Sequence, residues 1–582
     1  MKSRNDTSIP VFSRGTWESG EIISRLGRGE IGGKATGLMR LSRDLLAGVD
    51  QAVHPEFEVA VPRMVILGTD IFDSFIAMNN LGPLLETPVS DARVAQAFGR
   101  AALPPEILGD LRDFISQVEV PLAVRSSSRM EDALAHPFAG VYATKMLPNN
   151  QPDVDTRFNR LVEAIRFVYA TTYMKAARGY FQGLKEDHAE EKMALVIQEV
   201  AGNRYGTRFY PQISGVARSF NYYPNGSART TDGVVNLALG LGRQIVNGDR
   251  SWSFCPACPA SPPPFNDVGD RLRNTQTAFW AVNMGPPPPP DPMGETEFLL
   301  NPDLSVGEQD EILDHLVSTY DPGADRLRLG LAAKGPRVLD FGPILVGETL
   351  PLSDLMKKLL PLAERTAGCP VELEFAIDRR PDGVYRLCLL QMRSMAIPEG
   401  ESRVSPVELI EPGVVVASER ATGHGIKTDI ADIVYLKPET FETSQTPAIA
   451  LEINRLNGGL LVSGRPYMLV GFGRWGSADP WLGVPVDWSQ INGARVIVEC
   501  AFRDLNPDPS QGAHFFHNLI AVGAFYLTVR GRGSSRVEWD WLQRQPVEQE
   551  TKFVRHVRLP KPLQIRVDGL AGLAVCKVGG DA

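Results

Sequence analysis

Two runs of regular alternation flank a short turn near position 380. In Val371-Glu-Leu-Glu-Phe-Ala-Ile377, Glu372 and Glu374 alternate with Leu373, Phe375 and Ile377. After Arg379-Arg-Pro-Asp-Gly383 the chain returns as Tyr385-Arg-Leu-Cys-Leu-Leu-Gln-Met-Arg393. Such runs around a turn signal predict a β-hairpin. Strand side chains point alternately to the two faces. Glu372 and Glu374 therefore share one face, and Leu373, Phe375 and Ile377 the other. On the return strand Leu389, Gln391 and Arg393 share a face opposite to Leu390 and Met392. With Glu372 opposite Gln391, both carboxylates, the amide and Arg393 converge on one side. A register slip of two residues preserves the convergence, and a slip of one destroys it.

Elsewhere the pattern changes period. Leu38, Leu41, Leu45 and Leu46 recur at helical spacing and predict a helix over 34–47. Phe158, Leu161, Ile165, Val168 and Tyr169 predict one long helix over 156–182. Val59–Leu67 reads as a strand interrupted by Pro62, and Ala194–Val200, Gly233–Leu239 and Leu563–Val567 as further strands. Helices and strands are mixed throughout, so the expected class is α+β or α/β. A break near Ile397-Pro-Glu-Gly-Glu-Ser402 predicts a boundary between residues 1–398 and a smaller mixed α/β domain, 403–582. The first region divides into possible subdomains at about 1–190 and 191–398. Within it, the proline-rich stretch 256–292 is expected as an extended surface segment or insertion.

Composition narrows the classes. The 582 residues are 43% hydrophobic and 22% charged, as in ordinary globular proteins. A net charge of −9 gives a nucleic-acid partner no bulk electrostatic support. No apolar run approaches the roughly 20 residues that span a membrane, and the start lacks the apolar core of a signal peptide. The six cysteines are mostly far apart, against a disulfide framework. These features predict a cytoplasmic protein with no membrane partner. Cys255 and Cys258 lack a second ligand pair at zinc-site spacing and read as a loop.

Three segments carry candidate chemistry. The paired hairpin carboxylates repel unless a cation lies between them, and magnesium accepts carboxylate and amide oxygens while keeping positions for phosphate. Glu372, Glu374 and Gln391 are thus candidate metal ligands, with Arg393 placed to offset phosphoryl charge; the alternative is a solvated face with a Glu–Arg cross-strand pair. Gly27-Arg-Gly-Glu-Ile-Gly32 matches a dinucleotide fingerprint, and Gly32-Gly-Lys34 is a near miss for a phosphate loop. Either way, glycines before a helix and Lys34 suit an anion; the alternative is a glycine-rich turn with a solvated lysine. Finally, Pro121-Leu-Ala-Val124 carries Arg125 into Ser126-Ser-Ser128. That is either a phosphate clamp, with Gly140 and Thr144 in the following loop, or an ion pair of Arg125 with Glu131 or Asp132.

Taken together, these motifs resemble the N-terminal ATP-grasp region of the phosphoenolpyruvate synthase and pyruvate phosphate dikinase family over about residues 20–398. Gly32-Gly-Lys34, Val124-Arg-Ser-Ser127 with Glu131-Asp132, Phe138-Ala-Gly140, Val196-Ile-Gln-Glu-Val200, Gly215-Val-Ala217, Leu239-Gly-Leu-Gly242 and the hairpin follow in family order. The resemblance implies ATP and Mg2+ as cofactors. It implies phosphate contacts from Lys34, Arg125, Gly140 and Thr144, adenine contacts from Gln198 and Glu199, and a metal and catalytic set of Glu374, Gln391 and Arg393 beside Glu372. Arg243 stands where the family usually has an acidic residue. The family's phosphohistidine segment and C-terminal barrel have no counterpart here. The expected function is ATP-dependent phosphoryl transfer to a histidine or small molecule. The alternatives are a catalytically reduced ATP-binding subunit working with a separate phosphohistidine-bearing partner, and, from the glycine loop alone, a nicotinamide-dependent oxidoreductase.

In the last third, Gly471-Phe-Gly-Arg-Trp-Gly-Ser-Ala-Asp-Pro-Trp481 is either a ligand loop or an aromatic-capped turn. His514 and His517, one helical turn apart, and His424, between two glycines, are candidate phosphoryl acceptors.

Overall fold

The computed structural model describes residues 9–50, 53–86, 89–128, 131, 140–178, 191–224, 227–261, 263, 268–331, 334–395, 402–477, 479, 481–503, 505, 519, 522–531 and 533–579. The chain divides into two compact units. The first comprises 1–219, 233–245 and 250–395, and the second 220–232, 246–249 and 396–582. Both mix helices with sheets.

Two sheets of the first unit position the candidate residues. One is five-stranded, in the order Ile23–Leu26, Met64–Leu67, Met193–Glu199, Leu122–Ser128, Thr144–Leu147. Its Met193–Glu199 strand lies between strands from the first 130 residues, so this sheet spans the expected division near residue 190. The other is six-stranded, in the order Trp252–Phe254, Val234–Ala238, Ile213–Arg218, Val371–Arg379, Tyr385–Ser394, Phe57–Ala60. The expected strand over 59–67 is two strands, one in each sheet, divided at Val61-Pro-Arg63. Proline lacks the N–H a ladder needs, and the break at Pro62 lets one chain segment join both sheets.

The helix that starts at Gly32 runs to Arg40 and continues as a π-turn over Leu41–Leu45. Leu38, Leu41 and Leu45 enter a core shared with Leu373, Phe375, Ile377, Leu387 and Leu389. Two glycines set how closely this helix packs. Gly32 has φ +75°, and a Cβ there would lie 1.8 Å from the Ser127 carbonyl oxygen. A Cβ on Gly37 would lie 2.4 Å from the Met392 carbonyl oxygen. Only residues without side chains permit such approach.

The helix expected over 156–182 spans Val154–Thr171, opened by Asp153, whose side chain accepts the Thr156 N–H at 2.7 Å. It breaks at the Thr171-Thr172 pair, where the Thr171 hydroxyl turns back onto the Val168 carbonyl at 2.7 Å; the chain is helical again over 175–178, and 179–182 lie outside the described residues. Such hydroxyls compete with the helical ladder. The stretch 256–292 also differs from expectation. It contains a helix, Val268–Asn274, and a buried strand, Ala281–Asn283, which pairs with Arg208–Tyr210 and Leu299–Leu300. Among its described residues, exposure is concentrated over 286–292. Proline counts marked a surface loop but concealed the apolar Phe279-Trp-Ala-Val282 inside the segment.

The second unit is built on a ten-stranded sheet. Gly425–Leu436, Tyr467–Phe472, Ala494–Cys500 and Phe525–Val529 run parallel at its centre. The expected strand 563–567 lies within the longer Val554–Asp568. Among the described residues, no helix is long and apolar enough to cross a membrane.

Candidate functional site

The hairpin forms with Glu372 opposite Arg393 and Glu374 opposite Gln391. This is two residues from a pairing of Glu372 with Gln391, so all four side chains keep one face. A β-bulge between Glu374 and Phe375 in the pairing changes the parity beyond it. Leu389 pairs with Phe375 and joins the core. It does not share the Gln391 face that strict alternation assigns to it.

The four groups divide into two sets. At one end, Glu374 and Gln391 meet Arg125. The Arg125 guanidinium donates to the Gln391 side-chain oxygen at 2.6 Å, the Leu390 carbonyl at 2.9 Å and the Gln198 side-chain oxygen at 3.3 Å. It lies 3.6 Å from a Glu374 oxygen, and both side chains keep about 15% exposure (14% and 16%). Arg125 therefore ties the five-stranded sheet to the hairpin. Gln198 is buried, and its amide nitrogen has no hydrogen-bond partner. A buried donor without an acceptor is costly, and it lies on the residue that already touches Arg125. Glu199, next along the strand, has its carboxyl pushed up by burial, opposed by Arg63 and Arg386.

At the other end, Glu372 is held by two arginines. The Arg393 Nε donates to one of its oxygens at 2.6 Å, and Arg218 reaches the other at 2.5 Å. All three are buried. Arg218 also donates to Asn236 at 3.3 Å. No feature of the local pattern marks Arg218, because its carboxylate partner, Glu372, comes from a strand more than 150 positions later. Its placement immediately after Gly215-Val-Ala was the available signal.

Lys34 has its own partners. Its ammonium donates to Glu131 at 2.6 Å and to the Ser126 hydroxyl at 3.1 Å. Glu131 in turn accepts from the Ser126 hydroxyl and the Ser128 N–H, each at 2.9 Å. Glu131 is thus the partner of Lys34, not of Arg125. Ser127 accepts the Ala35 N–H at 3.0 Å and donates to the Ile31 carbonyl at 2.7 Å. Ser126 and Ser127 therefore dock the glycine loop and its helix onto the end of the arginine strand, while Ser128 holds Glu131. The loop is also pinned by Asp70, which accepts the Arg28 and Gly29 N–H groups at 2.8 Å.

Thr144 sits opposite Arg125 in the five-stranded sheet. Its N–H donates to Glu295 at 3.1 Å, and Glu295 pairs with Arg243 at 2.9 Å. Arg243 therefore has an acidic partner contributed from elsewhere in the chain. Gly140 adopts the left-handed φ of +72° that suits glycine. Asp132, Phe138 and Ala139 lie outside the described residues, as do His514 and His517. The His424 side chain is buried, with Nδ1 accepting the Gly569 N–H at 3.2 Å. In this conformation it has no open face for a phosphoryl donor.

A magnesium ion is coordinated by oxygens, commonly one or two carboxylates with phosphate and water. Glu374 fits that need: a carboxylate that keeps 16% exposure, 3.6 Å from Arg125. Gln391 lies on the paired position but is buried, and its side-chain oxygen accepts from Arg125, so it would share that oxygen with the ion. Glu372 fits it poorly, since one carboxylate oxygen accepts from Arg393 and the other is ion-paired with Arg218. Among the described residues no group of three or more His, Cys, Asp or Glu side chains is arranged to hold a metal.

Comparison with known families bears on this arrangement. Residues 28–253 match the model of the pyruvate phosphate dikinase AMP/ATP-binding domain. The match covers less than half of the chain and likens this segment to a dikinase-type nucleotide-binding domain. The matched segment includes Lys34, Arg125, Gly140, Thr144, Gln198 and Arg218, and ends before the carboxylate hairpin. The mixed α/β architecture of the first unit fits an ATP-grasp-like region. No curated protein matches the chain.

Proposed function

We propose that the chain is an ATP-dependent phosphotransferase of dikinase type, moving a phosphoryl group from Mg-ATP to a histidine or a small-molecule acceptor. The observation that carries this reading is Arg125. It bridges the nucleotide-binding sheet to Glu374 and Gln391, so one cation and two oxygen donors meet beside the segment matched as AMP/ATP-binding.

Each residue has a defined task in this reading. Arg125 is fixed by three acceptors, and a fixed guanidinium can meet phosphate oxygens without reorganising. Glu374 and Gln391 would hold magnesium, whose charge offsets that of the phosphate oxygens. Lys34 exchanges Glu131 for a phosphate oxygen, leaving Glu131 bonded to Ser126 and Ser128. The Gln198 amide nitrogen and the strand end at Glu199 offer contacts for the base. Gly140 and Thr144 border the phosphates. Arg393, held by Glu372, adds positive charge from the buried end of the hairpin. The burial of the His424 side chain disfavours it as the acceptor, which leaves another histidine, in this chain or on another protein, or a small molecule. That also keeps open the role of a nucleotide-binding subunit serving a phosphohistidine-bearing partner.

Incubation with γ-labelled ATP, alone and with cell extract fractions, tests the proposal. Acid-labile label on protein, or label on a small molecule, is expected. ATP binding with no transfer under any of these conditions would favour the non-catalytic subunit, and no ATP binding would refute both.

A further inference from the structure

The buried end of the hairpin face carries an ordered row of side chains. Arg393 lies opposite Glu372, Glu372 opposite Arg218, and Asn236 accepts from Arg218, across four consecutive strands of the six-stranded sheet. Each oxygen of Glu372 faces a different guanidinium. Two positions along, Glu374 lies opposite Val216 in the neighbouring strand, where Glu372 has Arg218, and its arginine is Arg125 at 3.6 Å. The same face thus has one carboxylate committed on both sides and one left partly open.

We infer that Arg218 is a positioning residue that sets the division of labour between the two carboxylates. By occupying one oxygen of Glu372 it commits that carboxylate to orienting Arg393, and it leaves Glu374 with Gln391 as the hairpin's donors for a divalent cation. The inference rests on the nucleotide-site reading above. It excludes the plainer alternative that both glutamates bind the cation.

Nucleotide binding by calorimetry, measured for the full chain with magnesium and again with EDTA, provides the test. The readout is the ratio of the two ATP affinities. Glu374→Gln brings the ratio close to one. Glu372→Gln weakens ATP about tenfold in both media, because Arg393 loses its support, and leaves the ratio at the wild-type value. Arg218→Met frees one Glu372 oxygen, so affinity in EDTA falls while the ratio rises; Arg218→Lys, which keeps the charge, returns the ratio toward wild type. Should Arg218→Met fail to fold, Glu372→Gln and Arg218→Lys still decide. A ratio that collapses in Glu372→Gln as it does in Glu374→Gln overturns the inference, as does an Arg218→Met ratio equal to wild type. If the wild-type chain binds no ATP in either medium, the nucleotide-site reading itself fails.

Discussion

Replacing Glu372 with glutamine removes one charge and almost no volume, yet it should be among the most damaging single changes in the first unit. Glu372 is 2% exposed, and its two partners, Arg218 and Arg393, are 2% and 4% exposed. Neutralising it leaves two guanidiniums deep in the fold facing an amide that offers one acceptor oxygen. Removing one partner of a buried ion pair typically costs about 3–5 kcal/mol, because the remaining charge is stranded. Asn236 moderates the loss on the Arg218 side, which places the expectation at about 3–4 kcal/mol. Urea unfolding of the isolated variants, followed by circular dichroism and tryptophan fluorescence, measures it. Adding Arg218→Met to Glu372→Gln should recover part of the loss, since the double variant strands one fewer cation. A Glu372→Gln variant within about 0.5 kcal/mol of wild type, the range of ordinary surface changes, would refute the claim that this row is a charge-paired core feature.

Further outcomes follow from the same geometry. Gly37→Val places side-chain carbon against the Met392 carbonyl, 2.4 Å from where its Cβ would lie; overpacking should cost about 1–3 kcal/mol and weaken ATP, read by thermal shift with and without nucleotide. Lys34→Met removes the amine that reaches Glu131 and Ser126, and should weaken ATP about tenfold or more at low salt, with less effect at high salt; unchanged calorimetric affinity would count against Lys34 as a phosphate contact. In the second unit, burial pushes the Glu499 carboxyl up to about 7, against an ordinary value of 4.5. The folded state then binds the extra proton between those values. The associated stability, on the order of 3 kcal/mol, is full below about pH 4.5 and lost as pH rises through about 7. Glu499→Gln should flatten that part of the stability profile in pH-resolved urea unfolding.

Much of the hairpin was legible because period-two alternation is local. It required only that Glu372, Glu374, Gln391 and Arg393 lie on one face, which an even register shift preserves. The bulge beside Leu390 was not legible, since nothing in Leu389-Leu-Gln391 distinguishes a regular strand from one with an extra residue. Partner choice was harder still. Arg125 was read against its sequence neighbours Glu131 and Asp132, whereas its contacts come from Gln198, Leu390 and Gln391, all distant in sequence. Glu131 instead meets Lys34, nearly 100 positions earlier. Arg218 and Glu295 escaped notice for the same reason: each looks like an ordinary charged residue until the sheets form. In Gly471–Trp481, the Trp475 ring lies where a Cβ on Gly471 would be, 2.3 Å from its nearest carbon. The Gly471–Trp475 spacing therefore serves local packing.

The central claim is that Arg125 joins Glu374 and Gln391 to the AMP/ATP-binding segment to make one nucleotide site. Calorimetric titration of Mg-ATP into wild-type chain and Arg125→Met measures this most directly. The account predicts saturable binding by wild type and a loss of about a hundredfold in the variant, the scale expected when a buried, hydrogen-bonded charge contact is truncated. Equal affinities in a folded Arg125→Met variant would contradict it.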